Sequence, residues 1–313
     1  MTSPETAPLS PGSRAGVFPG RARYISPIPW PRTLAADIEG TLTDKSGRRT
    51  SAQLVGALRR LEVQGVLVIL CSGRGVEYQR TLRRRWGLSP EAPLVAENGC
   101  SIFIGGREIL TYRPTGFRRD KLLKRLQAMG VGAVGELDPE KRHAITVYPR
   151  GFMKGGDYTE EDIDRICDFL RKALRGVQCR IFRTSASGEV LPAGTDKGRG
   201  LRLLLRELRI PPLEVLFIGD GQNDVPAARF VKRAGGKVGV PANATGEMRA
   251  LADYVSRGAF YEGALEILEA FFNRFSSQNK RDNRRGRHLS LDEAEGHQGR
   301  RHGRRGLHRL AHS

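Results

Sequence analysis

Short apolar runs alternate along the chain with longer segments in which apolar residues recur every three or four positions. The short runs predict buried strands, and the longer segments predict helices with one apolar face. Their order from the start is strand, helix, strand, which is a βαβ unit with parallel strands and a right-handed crossover. Predicted strands cover residues 33–38, 66–70, 94–96, 215–218, 237–240 and 254–255; predicted helices cover 78–86, 197–208, 226–233 and 263–272, with an earlier one between Ser51 and Gly65. The pattern predicts an α/β fold with a Rossmann-like parallel-sheet core.

Residues 113–192 interrupt this alternation. They predict helices at 117–129 and 159–174 and strands at 143–148, 179–182 and 189–191. Just before them, Asn98-Gly99 and Gly105-Gly106 predict the turns of hairpins. Because the first pattern resumes at residue 193, we expect a core built from residues 31–112 and 193–275 with a small α/β domain, 113–192, inserted into it.

The two ends of the chain lack regular apolar patterning. Residues 1–30 are rich in proline and glycine, which predicts a flexible extension, and residues 276–313 predict a basic disordered tail. The net charge is +19, and from residue 279 onward ten lysines and arginines face four acidic residues. The remaining charge is spread over helical faces, so we do not expect a nucleic-acid partner, whereas a basic surface would attract a phosphorylated substrate.

Other features narrow the class of protein. No run of about 18 apolar residues could span a bilayer, and the N-terminal residues lack the apolar segment of a signal peptide. The four cysteines, Cys71, Cys100, Cys167 and Cys179, have no CxxC spacing, which favours buried thiols over a zinc site or disulfides. We expect a cytoplasmic protein with no membrane partner; a monomer and a homodimer both stay open.

Two carboxylates follow the first predicted strand. Asp37 comes at the end of the apolar run, Glu39 stands two places on, and Gly40 lets the backbone turn away. In open α/β sheets the loops at the carboxyl ends of the strands form the ligand crevice. A carboxylate there can be a metal ligand, a nucleophile or a base. The plainer alternative is that Asp37 only stabilises a turn.

Three further segments carry polar residues at similar places. Ser72 and Gly73 follow the second predicted strand, Lys197 begins a helix, and Asp220 and Asp224 follow the strand at 215–218. Each has an ordinary structural explanation when taken alone: a helix cap, an exposed lysine and a strand-to-helix turn. The conjunction of the segments is much more specific than any one of them.

In this order the segments resemble the four motifs of the haloacid-dehalogenase-like superfamily. The resemblance implies that Asp37 attacks phosphorus to give an aspartyl phosphate, with Glu39 as the acid and base. It also implies that Ser72, Gly73 and Lys197 bind the phosphoryl group of a small substrate.

The resemblance implies a metal cofactor as well. Asp37, the backbone carbonyl of Glu39, Asp220 and Asp224 would surround one Mg²⁺, a hard ion that prefers oxygen ligands.

Within the superfamily, the chain is most similar to archaeal-type phosphoglycolate phosphatases and sucrose-phosphate-phosphatase-like hydrolases. The likeness rests on DIEGTLTD from Asp37, AENG from Ala96, GVPANA from Gly239, and an α/β cap between the second and third motifs. It implies a Mg²⁺-dependent phosphomonoesterase whose cap closes over a small substrate such as 2-phosphoglycolate.

Glu39 departs from this family, which normally has aspartate at the position. Because proton transfer is sensitive to placement on the order of 1 Å, activity that is retained, slowed or redirected stays open. The alternative enzyme is a phosphatase of sugar phosphates or of mannosyl- or glucosyl-3-phosphoglycerate. The cap offers polar side chains to bind a carboxylate or phosphate of such a substrate, although surface charge is the simpler explanation for most of them: Arg142, His143, Tyr148, Arg150 and Lys154.

An alternative from another class is a catalytically weak binding protein whose basic tail recruits nucleic acid. The intact Asp37, Lys197, Asp220 and Asp224 argue against it.

Overall fold

The computed structural model describes residues 31–113, 116–184 and 186–272. The predicted flexible extension, residues 1–30, and the predicted basic tail, residues 276–313, lie outside the described residues and stay predictions.

Strands and helices alternate through most of the described chain. The strands are β1 (Thr33–Ala36), β2 (Leu67–Cys71), β3 (Leu94–Ala96), β4 (Ser101–Ile104), β5 (Arg107–Leu110), β6 (Glu136–Leu137), β7 (Ile145–Tyr148), β8 (Cys179–Arg183), β9 (Gly188–Pro192), β10 (Val215–Ile218), β11 (Lys237–Val240) and β12 (Tyr254–Val255). The helices are α1 (Ala52–Val63), α2 (Val76–Trp86), α3 (Arg119–Ala128), α4 (Val131–Val134), α5 (Glu160–Ala173), α6 (Lys197–Leu208), α7 (Val225–Arg233), α8 (Gly246–Leu251) and α9 (Phe260–Phe271).

The larger sheet has eight strands in the order β12-β11-β10-β1-β2-β3-β4-β5. The six strands from β12 to β3 are parallel, and β4 and β5 extend the sheet as antiparallel strands. Helices α6 and α7 pack together against the sheet, and α1 packs with α9. The expected α/β fold with a Rossmann-like parallel core is confirmed.

The core between the sheet and α6 and α7 follows from the apolar spacing of the sequence. Leu201, Leu204 and Leu205 recur at helical intervals in α6, and they are buried with sheet residues such as Ala35 and Phe217. The side chain of Asp196 accepts a hydrogen bond from the N–H of Arg199 and so caps the start of α6. This cap fixes where the helix begins, and Lys197 is its first residue.

The smaller sheet is antiparallel, with four strands in the order β6-β7-β9-β8. Helix α5 packs on it, beginning at a capping box formed by Thr159 and Asp162. These elements have a core of their own, which includes Leu126, Val147 and Ile166. The inserted small α/β cap is therefore confirmed, while its boundaries at 113 and 192 stay a prediction.

Element ends differ from the prediction where tertiary contacts take over. The strand predicted at 143–148 begins only at Ile145, because the N–H groups of Arg142, His143 and Ala144 donate to the Glu97 carboxylate instead. The last helix begins at residue 260 rather than 263, and the short elements β6, α4 and α8 were not predicted. Within the described residues, every helix is too short or too polar to cross a bilayer.

A tight turn joins β3 to the antiparallel β4, as the Asn98-Gly99 pair predicted. Glu97, Asn98 and Gly99 all have left-handed backbone, with φ of 49°, 54° and 88°. A Cβ atom on Gly99 would lie 2.0 Å from the carbonyl oxygen of Asp196. The turn therefore packs directly against the start of α6, where only glycine fits.

We expect Gly99→Ala to destabilise the protein more than Gly106→Ala. Both changes put alanine into left-handed backbone, at about 1 to 2 kcal/mol, but a Cβ on Gly106 meets no atom within 4 Å. At Gly99 the collision with Asp196 adds roughly 1 to 3 kcal/mol. Urea unfolding of the two variants measures the difference, and equal losses would contradict close packing at this turn.

Candidate active site

Three neighbouring strands bring polar residues to one edge of the larger sheet. In the register of the sheet, Ala36 of β1 pairs with Ile218 of β10 and with Leu70 of β2. The N–H of Asp37 donates to the carbonyl of Ile218 at 2.9 Å, which fixes the residue at the strand end. Ser72 and the loop at 219–224 leave the sheet at the same edge. Residues from three separate segments therefore lie together at the carboxyl ends of the strands.

Lys197 supplies a buried cation to this edge. Its Nζ lies 2.8 Å from Asp37 Oδ1 and 2.7 Å from Asp224 Oδ1, and its side chain is fully buried. Burial alone would lower the pKa of Lys197, but the charges of Asp224 and Asp37 raise it. The lysine is therefore a fixed positive charge, not the exposed helix-start residue of the alternative interpretation.

Asp37, Asp220 and Asp224 each offer a carboxylate oxygen, and these oxygens lie within 4.8 Å of one another. Burial, with the charge of Asp224, raises the pKa of Asp37 well above its ordinary value and that of Asp220 to about 7. Lys197 pairs with Asp37 and Asp224, so the three carboxylates exceed the one cation beside them. Two of the carboxylates are buried and that of Asp220 is partly buried, and such a surplus of negative charge fits a hard divalent metal ion.

Hydrogen bonds hold Asp220 in place. Thr41 Oγ1 donates to Asp220 Oδ1 at 3.1 Å, and Asn243 Nδ2 donates to Asp220 Oδ2 at 3.1 Å. Asn243 Nδ2 also donates to the carbonyl of Gly40, whose φ is 80° and whose added Cβ would lie 2.4 Å from Asp220 Oδ2. Asn243 was not among the predicted site residues, although it belongs to the GVPANA segment that carried the family resemblance.

Glu39 contacts the loop after β2 through its side chain. Ser72 Oγ donates to Glu39 Oε2 at 3.2 Å, and Arg74 forms an ion pair with Glu39. Burial alone would raise the pKa of Glu39, but the charge and hydrogen bond of Arg74 lower it. Arg74 was missed as a site residue; its place directly after Ser72 and Gly73 was the available signal.

The cap covers the cluster and leaves a cavity of about 280 Å³. Asp37, Glu39, Gly73 and Asp220 line the core side of this cavity. The side chains that line it from the cap include Lys141, Tyr148, Phe152, Arg183 and Glu189.

Of the five cap residues that the sequence offered for substrate binding, only Tyr148 lines this cavity. Arg142 forms an ion pair with Glu77 at 3.6 Å, and His143 Nε2 lies 2.8 Å from Glu108. Of these five, Tyr148 alone is placed to contact a substrate in this cavity, and surface charge, the simpler explanation, holds for Arg142.

Comparisons with known proteins give the same assignment as this geometry. The family model described as sucrose-6F-phosphate phosphohydrolase matches residues 30–248. A phosphoglycolate phosphatase of Methanothermobacter thermautotrophicus is 30% identical over 77% of this chain and 98% of the relative. A phosphoglycolate phosphatase of Aeropyrum pernix is 30% identical over 76% of this chain and 92% of the relative. The structure of a haloacid dehalogenase-like hydrolase from Bacteroides thetaiotaomicron, 21% identical, matches 76% of this chain and 98% of its own with a TM-score of 0.59.

The fold, the order of the motifs and these relatives together define a haloacid-dehalogenase-like phosphatase, a hydrolase of phosphoric monoesters. Within that superfamily, the chain belongs to the sucrose-6F-phosphate phosphohydrolase family.

Proposed function

We propose that the protein is a Mg²⁺-dependent phosphatase that hydrolyses 2-phosphoglycolate to glycolate and phosphate through an aspartyl phosphate on Asp37. The observation that carries the proposal is the cluster beneath the cap cavity in which Asp37, Lys197 and Asp224 are buried and Asp220 is partly buried. The choice of substrate is supported by the relatives named phosphoglycolate phosphatase, which align with about three quarters of the chain.

In the proposed reaction the Asp37 carboxylate forms a bond to phosphorus while the bond from phosphorus to the ester oxygen breaks. Glu39 gives a proton to the departing alkoxide. Water then attacks the phosphorus of the aspartyl phosphate, Glu39 takes a proton from it, and phosphate leaves Asp37 free again. Splitting one difficult displacement into two easier ones is the advantage of a covalent intermediate.

Electrostatics explains the need for cations around Asp37. A carboxylate and a phosphate oxygen about 4 Å apart repel by roughly 4 kcal/mol per pair of unit charges at an effective dielectric constant near 20. Lys197 is held at Asp37 to offset that repulsion and to bind a phosphoryl oxygen. A Mg²⁺ ion held by Asp37, Asp220, Asp224 and the Glu39 carbonyl would act as a Lewis acid on the phosphoryl group.

Ser72 and Gly73 belong to the loop that would bind the remaining phosphoryl oxygens. The Ser72 hydroxyl contacts Glu39 and accepts a hydrogen bond from the N–H of Arg74 at 3.1 Å. Arg74 holds the longer Glu39 side chain in one place. The same ion pair lowers the pKa of Glu39, which favours the carboxylate that takes a proton from water over the carboxylic acid that protonates the alkoxide.

A second candidate is a phosphatase of sugar phosphates or of mannosyl- or glucosyl-3-phosphoglycerate. The sugar-phosphate name of the matching family supports it. The cytoplasmic location stays a prediction, the choice between monomer and homodimer stays open, and the nucleic-acid-binding tail stays the less favoured alternative.

We expect wild-type protein with Mg²⁺ to release phosphate from 2-phosphoglycolate and from p-nitrophenyl phosphate, and Asp37→Asn to release none from either, because the nucleophile is lost. Asp44→Asn is the matched control, since Asp44 binds Ser46 and backbone N–H groups of its own loop. Phosphate release is measured at steady state. Equal rates for Asp37→Asn and wild type would end the proposal.

Changes at Glu39 test its role in proton transfer. Glu39→Gln keeps the size of the side chain but cannot exchange a proton, so we expect kcat for 2-phosphoglycolate to fall by roughly a hundredfold or more. Glu39→Asp keeps the carboxyl group and should keep or raise turnover. A fully active Glu39→Gln enzyme would show that another group moves the proton.

Thermal unfolding tests the metal site without an activity assay. In wild type we expect Mg²⁺ to raise Tm relative to EDTA, by an amount corresponding to about 2.7 kcal/mol when the ion is at a hundred times its Kd. Asp220→Asn should lose this rise, and in EDTA its Tm should equal or exceed that of wild type because a costly buried charge is gone.

Asp44→Asn again serves as the control and should keep the full rise in Tm. A rise that persists in Asp220→Asn would place the ion elsewhere.

A further inference from the structure

Three basic side chains of the described residues are buried: Arg83, Lys141 and Lys197. Arg83 forms an ion pair with Glu62, and Lys197 forms ion pairs with two aspartates. Lys141 is only 4% exposed, yet among the described residues no carboxylate oxygen lies within ion-pair distance of its ammonium group. Buried lysines are rarely left without an anionic partner, because desolvating the charge is costly.

The ammonium group of Lys141 has donors to spare. It donates one hydrogen bond, to the backbone carbonyl of Gly73, and an ammonium group carries three N–H donors. Lys141 also lines the cavity between the cap and the core. The unused donors thus belong to a side chain that borders the cavity.

The segment that follows Lys141 is fixed to the core. The Glu97 carboxylate accepts hydrogen bonds from the N–H groups of Arg142 at 2.8 Å, His143 at 2.8 Å and Ala144 at 2.7 Å. Glu97 is itself buried in the left-handed turn after β3. A lysine held this way is positioned before any substrate arrives, which lowers the entropic cost of binding an anion.

Glu189 is the carboxylate that lines the cavity from the cap, and its oxygens are already occupied. Asn98 Nδ2 donates to Oε2 at 3.3 Å, and Ser187 Oγ donates to Oε1 at 3.4 Å. Burial raises the pKa of Glu189, although the charge of Lys141 opposes this. Glu189 is thus tied into the cap and the β3 turn, and the Lys141 ammonium stays open to a further anion.

We propose that Lys141 binds the carboxylate of a phosphorylated short-chain acid and so selects this substrate class over neutral phosphate esters of the same size. This inference rests on the proposed function. It deepens that function, because Lys141 becomes the specificity-determining residue for the acid end of the substrate.

The position of Lys141 fits a substrate with few atoms between phosphate and carboxylate. Lys141 contacts Gly73, the residue directly after Ser72 in the proposed phosphoryl-binding loop. In 2-phosphoglycolate only one oxygen and one carbon separate phosphorus from the carboxyl carbon. A cation in contact with the proposed phosphoryl-binding loop therefore suits a substrate whose carboxylate lies so close to its phosphate.

The test compares 2-phosphoglycolate with 2-hydroxyethyl phosphate, which replaces the carboxylate by a neutral CH₂OH group. We expect wild type to prefer the acid, and Lys141→Met to lower kcat/KM for 2-phosphoglycolate by roughly tenfold to a hundredfold, mostly through KM. For the same Lys141→Met variant, kcat/KM with 2-hydroxyethyl phosphate should stay within about threefold of the wild-type value. Lys141→Arg should keep part of the preference.

Arg142→Met is the matched control, because Arg142 is the next cap residue and its side chain pairs with Glu77 on the surface. Arg142→Met should leave kcat/KM unchanged for both esters. Lys141→Gln, which keeps a donor for Gly73, tests the same ratio if the methionine variant fails to fold as judged by near-UV circular dichroism.

If Lys141→Met lowers kcat/KM equally for both esters, or leaves the ratio of the two kcat/KM values unchanged, the inference is overturned and the role of Lys141 is purely structural. A wild type that hydrolyses both esters equally well would overturn it too, while leaving the phosphatase intact. A wild type that releases phosphate from neither ester nor from p-nitrophenyl phosphate would instead refute the proposed function, and this inference with it.

Discussion

The site gathers more buried negative charge than its own cation can balance. Asp37, Asp220 and Asp224 converge at the strand ends, and Lys197 is paired with two of them. Such a cluster destabilises a fold unless a partner offsets it, so the surrounding structure must hold it together. Three features hold these side chains in place. The N-terminal cap of α6 positions Lys197, the strand register positions Asp37, and the hydrogen bonds of Asn243 position Asp220. The same surplus charge is what suits the site to a divalent ion.

The sequence predicted the core well because its determinants are local. Apolar runs followed at once by Asp37, Ser72 or Asp220 define strand ends, and parallel strands bring their carboxyl ends to one edge. The same reasoning placed Lys197 at the first position of a helix. Its full burial was not predictable, because burial depends on the Glu97–Gly99 turn packing against α6 from about a hundred residues earlier in the chain.

The cap was predicted as a small α/β insertion, but its side chains were assigned poorly. Arg142 and His143 were named as candidates and the adjacent Lys141 was not, because the direction in which each side chain of this irregular segment points is not encoded in local sequence. Which one enters the cavity is decided by the Glu97 carboxylate, which binds three successive N–H groups of the cap. Glu97 is distant in sequence, so composition and periodicity carry no trace of this contact. Arg74 was missed for a similar reason, because its partner Glu39 belongs to another strand end.

The left-handed turn at Glu97–Gly99 joins two parts of the molecule that are usually considered separately. Glu97 accepts hydrogen bonds from backbone N–H groups of the cap, while Gly99 packs against the peptide group that precedes Lys197. The cap and the catalytic core on the two sides of the cavity are therefore anchored to the same three-residue turn. Substitutions elsewhere in the cap can therefore alter which substrates enter the cavity without detaching the cap, provided that the turn and the backbone N–H groups bound to Glu97 are kept.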